Sequence, residues 1–539
     1  MTLLRLALRS HLGGFIATTA VVILLGAANS LAYTQIAGTD PAQRAVFAQQ
    51  MEVVGRQLTY ILPVPVQLDT MSGYLHWRMF GTVPLLYGFW SILAASGAGR
   101  GDEERGLVET WLAAGVSRAR YLLARLLAFV IAVMGSVAAM MATTWAGSAA
   151  GNEAIPLDAL ALQGVGVVAL ALCSYAVVLV IAQLTVTRRA AAGVGGVLLL
   201  ALFFVNSSAR NGGLEQVRWL SPFWAYDRST PLLRGGALDV AATAALFGVT
   251  ALLFAAAAAA FVARDLGSSI LRARARTGKP AFRPSRDPLL RLPVLAVIDQ
   301  QRAWVAGWTI GLAALAAFLV SLTRTMVDAL LQIPSMRVYF ERLGPAGYDT
   351  FIAVIWGSTA MLLVSLFAIF QVNTWVADDS EGRLEAALAQ PVSRTRVMVD
   401  RLGSLLVASA LILAGSSVAV WLAASGAGVT LTGDRFVLGS ALMITVPFAF
   451  GAVGAIAASW RPRLAVPALT VVAIVSYFTQ QFAPLFDWPK WVENTSIYAL
   501  YGTPMVKGVD WAGIGILGAI ATIGSLLANA LFQRRDVGR

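Results

Sequence analysis

Two segments of this chain carry the side chains that could do chemistry. One reads DEERGLVETWLAAGVSRARYLLARL from Asp102, the other DDSEGRLEAALAQPVSRTRVMVDRL from Asp378, and they align without a gap 276 positions apart. Each opens on carboxylates, Asp102, Glu103 and Glu104 or Asp378, Asp379 and Glu381. Each closes on arginines, Arg118, Arg120 and Arg125 or Arg394, Arg396 and Arg401. Side chains of these two kinds make ion pairs and charged docking surfaces. Nothing around them points to bond breaking. The two histidines, His11 and His76, stand far apart, and the one cysteine, Cys173, lies in an apolar run without a partner. No triad and no G-x-x-x-x-G-K-[ST] loop occurs, so the chain cannot cradle ATP phosphates by itself. No catalytic residue, metal ligand or cofactor is expected in this chain.

The elements that position the two segments are spans. The chain has 539 residues, of which 58% are apolar and only 13% charged, with a mean hydropathy of +0.72. A soluble protein carries about 25% charged residues. Apolar runs recur along the whole length, beginning near Gly14, Met79, Leu126, Leu162, Ala190, Val240, Ala303, Phe351, Leu402, Val437, Leu464 and Ala512. A bilayer core needs about 20 predominantly apolar residues per helix, and the fifth and eleventh runs are short, at about 17. The expected fold is an all-α polytopic membrane protein with twelve transmembrane helices. With both termini on one side, that side holds 27 of the 40 Lys and Arg residues. The excess makes that side the cytoplasm, and the net charge of +12 then reflects topology rather than a nucleic-acid partner. No ionisable residue interrupts the apolar runs, whereas ion-coupled carriers keep one near the midplane.

The match between the halves extends beyond the two segments. IAQLTVTRRA from Ile181 answers IAASWRPRLA from Ile456, and SPFWAY from Ser221 answers SIYALY from Ser496, both at an offset of 275. The chain therefore reads as an internal duplication: a six-span half at 1–263, a basic cytoplasmic linker at 264–292 and a second six-span half at 293–539. The long external loop after the first span, DPAQRAVFAQQMEVVGRQLTYIL, reads as helical, and a second long loop follows the seventh span.

In each half the repeated segment falls between the second and third spans. The acidic opening suits the positive end of a helix dipole, and Gly106 or Gly382 follows. Leu107, Trp111 and Ala114, or Leu384, Ala387 and Leu388, mark one face of a short helix. That helix is expected to stop at Gly115 or Pro391. Ser117 or Ser393 then suits an N-cap for the next helix. The arginines beyond are expected to face headgroups or a partner. The two short elements span about 102–116 and 378–392.

This segment in this place resembles the coupling helix of ABC-2-type permeases. The pattern E-G-x-x-E-x-x-L-A-x-P-V-S-R runs through Glu381, Gly382, Glu385, Leu388, Ala389, Pro391, Val392, Ser393 and Arg394. Its counterpart in the first half holds Glu104, Gly106, Glu109, Leu112, Val116, Ser117 and Arg118, and departs from the family in having Gly115 for the proline and Arg105 for the glutamate. The fused form resembles actinobacterial exporters of polyketide antibiotics and other drugs, of the tetronasin-resistance type. The resemblance implies two tandem six-helix ABC-2, type V exporter-like halves. It also implies two copies of a separate ATPase subunit, carrying ATP and Mg, docked on the coupling helices. An elbow helix at the membrane interface precedes the first span in that family, as TLLRLALRSHL suggests here. The expected location is the bacterial inner membrane, with both termini cytoplasmic.

The resemblance also places the substrate path on the second and fifth spans of each half. Here those carry Tyr87, Phe89, Trp90, Phe203, Phe204, Asn206, Phe367, Phe370, Asn373, Tyr477, Phe478 and Gln480. Aromatic rings with a few amides suit small amphiphilic, drug-like or lipid-like substrates. The rival is a twelve-span secondary carrier of the major-facilitator kind, which shares the basic central loop. The orientation is testable on its own. In a Cys173→Ala background, Thr277→Cys should react with a membrane-impermeant maleimide only after permeabilisation, and Gln49→Cys in intact cells.

Overall fold

A computed structural model of the chain describes residues 2–270, 292–321, 323–331, 337–338, 347–483, 486 and 488–536. Among the described residues, all regular structure is helical, and twelve helices are long and apolar enough to cross a membrane. The chain is an all-α polytopic membrane protein. It forms two compact units, Met1–Pro280 and Ala281–Arg539. The spans of the first are Leu3–Ala37, Met71–Glu104, Arg118–Ala150, Leu157–Leu184, Arg188–Arg210 and Val240–Ala263. Those of the second are Arg302–Ser321, Ile352–Ser380, Arg394–Gly426, Gly433–Trp460, Pro462–Phe482 and Trp511–Arg534. The fifth and eleventh, short in apolar content, are completed to 23 and 21 residues by polar ends.

Several local expectations change. No elbow separates TLLRLALRSHL from the first span: Thr2–Ala37 is one continuous helix. Nothing between Thr2 and Leu12 lacks a backbone donor or a Cβ, so nothing there breaks the helix. In the second unit a separate helix, Pro293–Gln300, does precede the seventh span. The loop after the first span is helical at Pro41–Gln57. Its Phe47 ring lies 6.2 Å from both Tyr33 and Tyr74, and Arg44 pairs with Glu153. Of the basic linker, 271–291 lies outside the described residues. In the loop after the seventh span, 322, 332–336 and 339–346 do so too.

Lipid tails are as apolar as leucine, so span association depends on close packing rather than on the hydrophobic effect. In both units the first span of the half lies along the third, and a glycine sets the approach. A Cβ on Gly147 would lie 2.7 Å from Ser30 Cβ, and one on Gly415 would lie 2.4 Å from Thr309 Cγ2. Aromatic rings fill each bundle. Phe129 stacks on Tyr175 at 4.4 Å in the first, and Trp308 meets Phe367 at 5.8 Å in the second.

Two spans are broken, each near a proline. The second span runs as Met71–Arg78 and Val83–Ser96, and the tenth as Gly433–Leu442 and Thr445–Trp460. Pro84 and Pro447 have no N–H to give the carbonyls of Phe80 and Met443. In a membrane a freed carbonyl needs another donor. The Tyr226 hydroxyl donates to Phe80 O at 3.1 Å. Its repeat counterpart, the Tyr501 hydroxyl, donates to Gly439 O at 2.7 Å, which also accepts from Met443 N. Tyr226→Phe should therefore lower stability by about 1–3 kcal/mol, the cost of an orphaned buried acceptor. Tyr501→Phe should cost less, because Gly439 O keeps a donor. Thermal unfolding of both variants in detergent checks the order.

Candidate functional site

The two short helices form, at Leu107–Ala113 and Arg383–Leu388. Each starts on a glycine in the left-handed region, Gly106 at φ +68° and Gly382 at φ +72°. A side chain there costs about 1–2 kcal/mol, so the shared glycine marks a sharp turn between the preceding span and the short helix. Each helix lays one residue inward, Val108 in the first and Leu384 in the second. These are repeat counterparts. The expected stripe led by Leu107 is thereby corrected: Leu107 is exposed, and its neighbour is the anchor. The helices end at Ala113 and Leu388, before Gly115 and Pro391. Ser117 Oγ accepts from Arg120 N at 3.3 Å, and Ser393 Oγ from Arg396 N at 3.2 Å, so both serines cap the next span.

The remaining expected contact residues divide by exposure. Glu109 and Glu385 are exposed on the first turn of their helices. Leu112, Leu388, Val116 and Val392 are half-buried, and Glu381 and Pro391 are exposed. Glu104 is turned aside, accepting from Arg188 N at 2.7 Å at the start of the fifth span. Arg118 and Arg394, expected to face headgroups or a partner, are engaged by backbone carbonyls. Arg118 Nη1 donates to Val262 O at 3.0 Å and also to Phe261 and Arg264 carbonyls. Arg394 Nη1 donates to Phe532 and Gln533 carbonyls at 3.0 Å, and to Arg535 O. Each arginine thus caps the carbonyl end of the last span of its half, where a cation is favoured.

The acidic cluster belongs elsewhere than expected. Asp102, Glu103 and Glu104 end the second span after a π-helical turn at Gly97–Gly101, and Asp378 and Asp379 end the eighth. In the first half Asp102 and Glu103 point inward. Asp102 accepts from Arg105 at 2.6 Å, from the Tyr121 hydroxyl and from Arg125, which also reaches Ser10. Glu103 is held by Arg264 at 2.5 and 2.8 Å and by Gly267 N. Arg100 lies beside it, 1% exposed, donating to Ala182 O at 2.6 Å and Ser268 O at 2.8 Å. One network thus ties together the starts of the first and third spans and the ends of the second, fourth and sixth.

The second half repeats the plan more loosely. Asp379 pairs with Arg535, which also donates to Ala458 O at 3.1 Å. Asp378 takes Arg383 at 2.8 Å, with Arg401 only at 3.9 Å. The hydrogen bond to Asp378 pushes the Arg383 pKa up further. Asp378 is 31% exposed, against 2% for Asp102. The sequence did not single out Arg100, Arg264 or Arg535. Arg125 and Arg401, expected to face headgroups or a partner, turn instead toward the aspartates 23 positions before them. Arg264 and Arg535 are 271 apart, off the repeat offset, and nothing in the sequence pairs them with Glu103 or Asp379.

The expected substrate-path residues divide by burial. Tyr87, Trp90, Phe203, Asn206 and Phe367 are buried. Tyr87 shares a hydrogen bond with Ser136 at 2.9 Å, and Asn206 donates to Asp227 at 2.7 Å. Phe89, Phe204 and Asn373 are exposed. Phe370, Tyr477, Phe478 and Gln480 are half-buried.

Residues 290–533 match the family model of the multidrug efflux system permease Rv1217c, C-terminal domain. The second half is similar to an efflux permease. The permease-like stretch includes the Arg383–Leu388 helix, Asp378, Asp379 and Arg401. No curated protein matches the chain.

The buried frame predicts unequal sensitivity. Asp102→Asn strands the Arg125 guanidinium among apolar groups and should cost about 3–5 kcal/mol. Asp378→Asn, in a partly solvated pair, should cost about 1 kcal/mol or less. Unfolding midpoints of the two variants measure this, and a reversed order would contradict it.

Proposed function

We propose that this chain is the membrane-spanning permease of an ATP-driven ABC exporter. Two copies of a separate ATPase subunit, holding ATP and Mg, dock on the helices Leu107–Ala113 and Arg383–Leu388. The chain sits in the bacterial inner membrane with both termini in the cytoplasm, and moves amphiphilic drug-like, antibiotic or lipid-like molecules outward. Its halves are an ABC-2-type duplication. The observation that carries this reading is the repeated arrangement of a short helix between a left-handed glycine and a serine cap, with a glutamate exposed on its first turn. The efflux-permease match over residues 290–533 supports it.

In this reading the short helix is a lever. Val108 or Leu384 seats it, while Glu109 or Glu385 presents charge to the ATPase. Closure of the ATPase pair pushes the helix, and the push travels along two rigid routes. One is the carboxylate–arginine frame at the end of the second or eighth span. The other is Arg118 or Arg394, which grips the end of the sixth or twelfth span. Ion pairs held on several sides transmit displacement because they leave little rotamer freedom. The phosphate chemistry stays on the partner, and this chain converts displacement into a change of access.

Affinity capture of the chain from native membranes tests the reading. An ATPase subunit should co-purify at about two copies per chain. Glu385→Arg should lower its capture at least tenfold, as expected when a like charge is forced into a charged interface (about 2–5 kcal/mol), while leaving the unfolding midpoint unchanged. A chain that purifies alone, and moves solute under a proton gradient without ATP, would make it a secondary carrier instead.

A further inference from the structure

Beside the short helix of the second half lies an open cavity of about 690 Å³. Its walls include Glu385, Trp460, Arg461, Arg463, Leu464 and Arg535. Arg535 is already paired with Asp379. Arg461 lies over the Trp460 ring at 4.9 Å, and among the described residues neither Arg461 nor Arg463 has a carboxylate partner. Asp379 and Glu385 are the carboxylates of the lining; with Asp379 matched to Arg535, Glu385 stands against both Arg461 and Arg463, and the cavity keeps an excess of positive charge. Its mouth is apolar: Trp460 is 67% exposed and Leu464 52%. Exposed Pro467, Ala468, Val471 and Val475 continue from Leu464 along one stripe of the eleventh span, at helical spacing.

Two guanidiniums without a carboxylate partner among the described residues, an interfacial tryptophan and an apolar stripe leading into the membrane form a pattern with a definite chemical complement. Guanidinium pairs bind phosphate oxygens through parallel charge-assisted hydrogen bonds. Tryptophan sits at headgroup level. We propose that this cavity holds the phosphodiester of a membrane phospholipid, with Arg461 and Arg463 on the phosphate, Trp460 and Leu464 at the glycerol level and an acyl chain along the stripe. The site belongs to the second half alone. At the repeat position of Val376, which lines the cavity, the first half has Arg100, whose buried side chain fills the space. At the position of Ser380 it has Glu104, which closes onto Arg188 N. The inference does not rest on the ATPase reading, and its test contains no ATPase.

The purified full chain in maltoside micelles is titrated with dioctanoyl phosphatidylglycerol, with dioctanoylglycerol and with inorganic phosphate, and bound adducts are counted by native mass spectrometry. Phosphatidylglycerol should bind at least about tenfold more weakly to Arg461→Gln/Arg463→Gln, a loss of about 1.4 kcal/mol or more. Arg463→Lys should bind more weakly than the parent but more tightly than the double variant, because an ammonium keeps the charge and loses the parallel pair of bonds, and Arg188→Gln, the first-half counterpart, should bind as the parent does. Phosphatidylglycerol binding unchanged in the double variant would overturn the proposal. So would equal retention of dioctanoylglycerol, which lacks the phosphate, or displacement of the lipid by equimolar inorganic phosphate, which would mark a site for a free anion.

Discussion

A carboxylate taken out of water must keep a cation with it, and that constraint organises one end of each half. Asp102 is 2% exposed at the end of the second span. Desolvation of such a group costs several kcal/mol unless partners compensate. The partners arrive from different spans: Arg125 from the third, Arg264 from beyond the sixth through Glu103, and Ser10 from the first through Arg125. Satisfying the charge therefore fixes where these spans meet. The short helix hangs from this fixed point by a single glycine turn. Its position follows from the charge network more than from its own seven residues, which bury only Val108.

The two halves use the same plan with different occupancy. In the first, Arg100 reaches into the frame, and the network closes over itself. In the second, Val376 stands at that position, Asp378 is partly solvated and a cavity opens beside Arg535. A closed buried network has one low-energy arrangement, because each displaced member leaves a charge unpaired. A looser one can shift at lower cost. The extra cation comes from different positions: Arg105 on Asp102, Arg383 on Asp378.

Backbone satisfaction inside the membrane is the second constraint. At the break in the second span Phe80 O takes the Tyr226 hydroxyl; at the break in the tenth Met443 O takes Val446 N, and the Tyr501 hydroxyl, at the matching repeat position, adds to Gly439 O nearby. The same residue type, kept at the same offset, serves different spans in the two halves. A helix can be interrupted at membrane depth where a neighbouring side chain or a local backbone adjustment brings the missing donor.

The sequence by itself determined the class of the protein. Its apolar runs dictated twelve spans because each carries enough hydrocarbon to cross a bilayer. The 276-residue offset located both short helices, and the glycine and serine caps act locally, so they were legible where they stand. Which way a side chain points was not legible. Leu107 and Val108 are both apolar, and only packing against the bundle selects the second. Arg118 and Arg394 read as cations facing headgroups or a partner, yet the carbonyl ends of distant spans take them in. Asp102 and Glu103 read as the start of an exposed helix, yet the third and sixth spans bring arginines that draw them inward. Charge pairing depends on distance in space, and the partners stand 23 and 161 positions away along the chain. Only the tertiary structure could decide it.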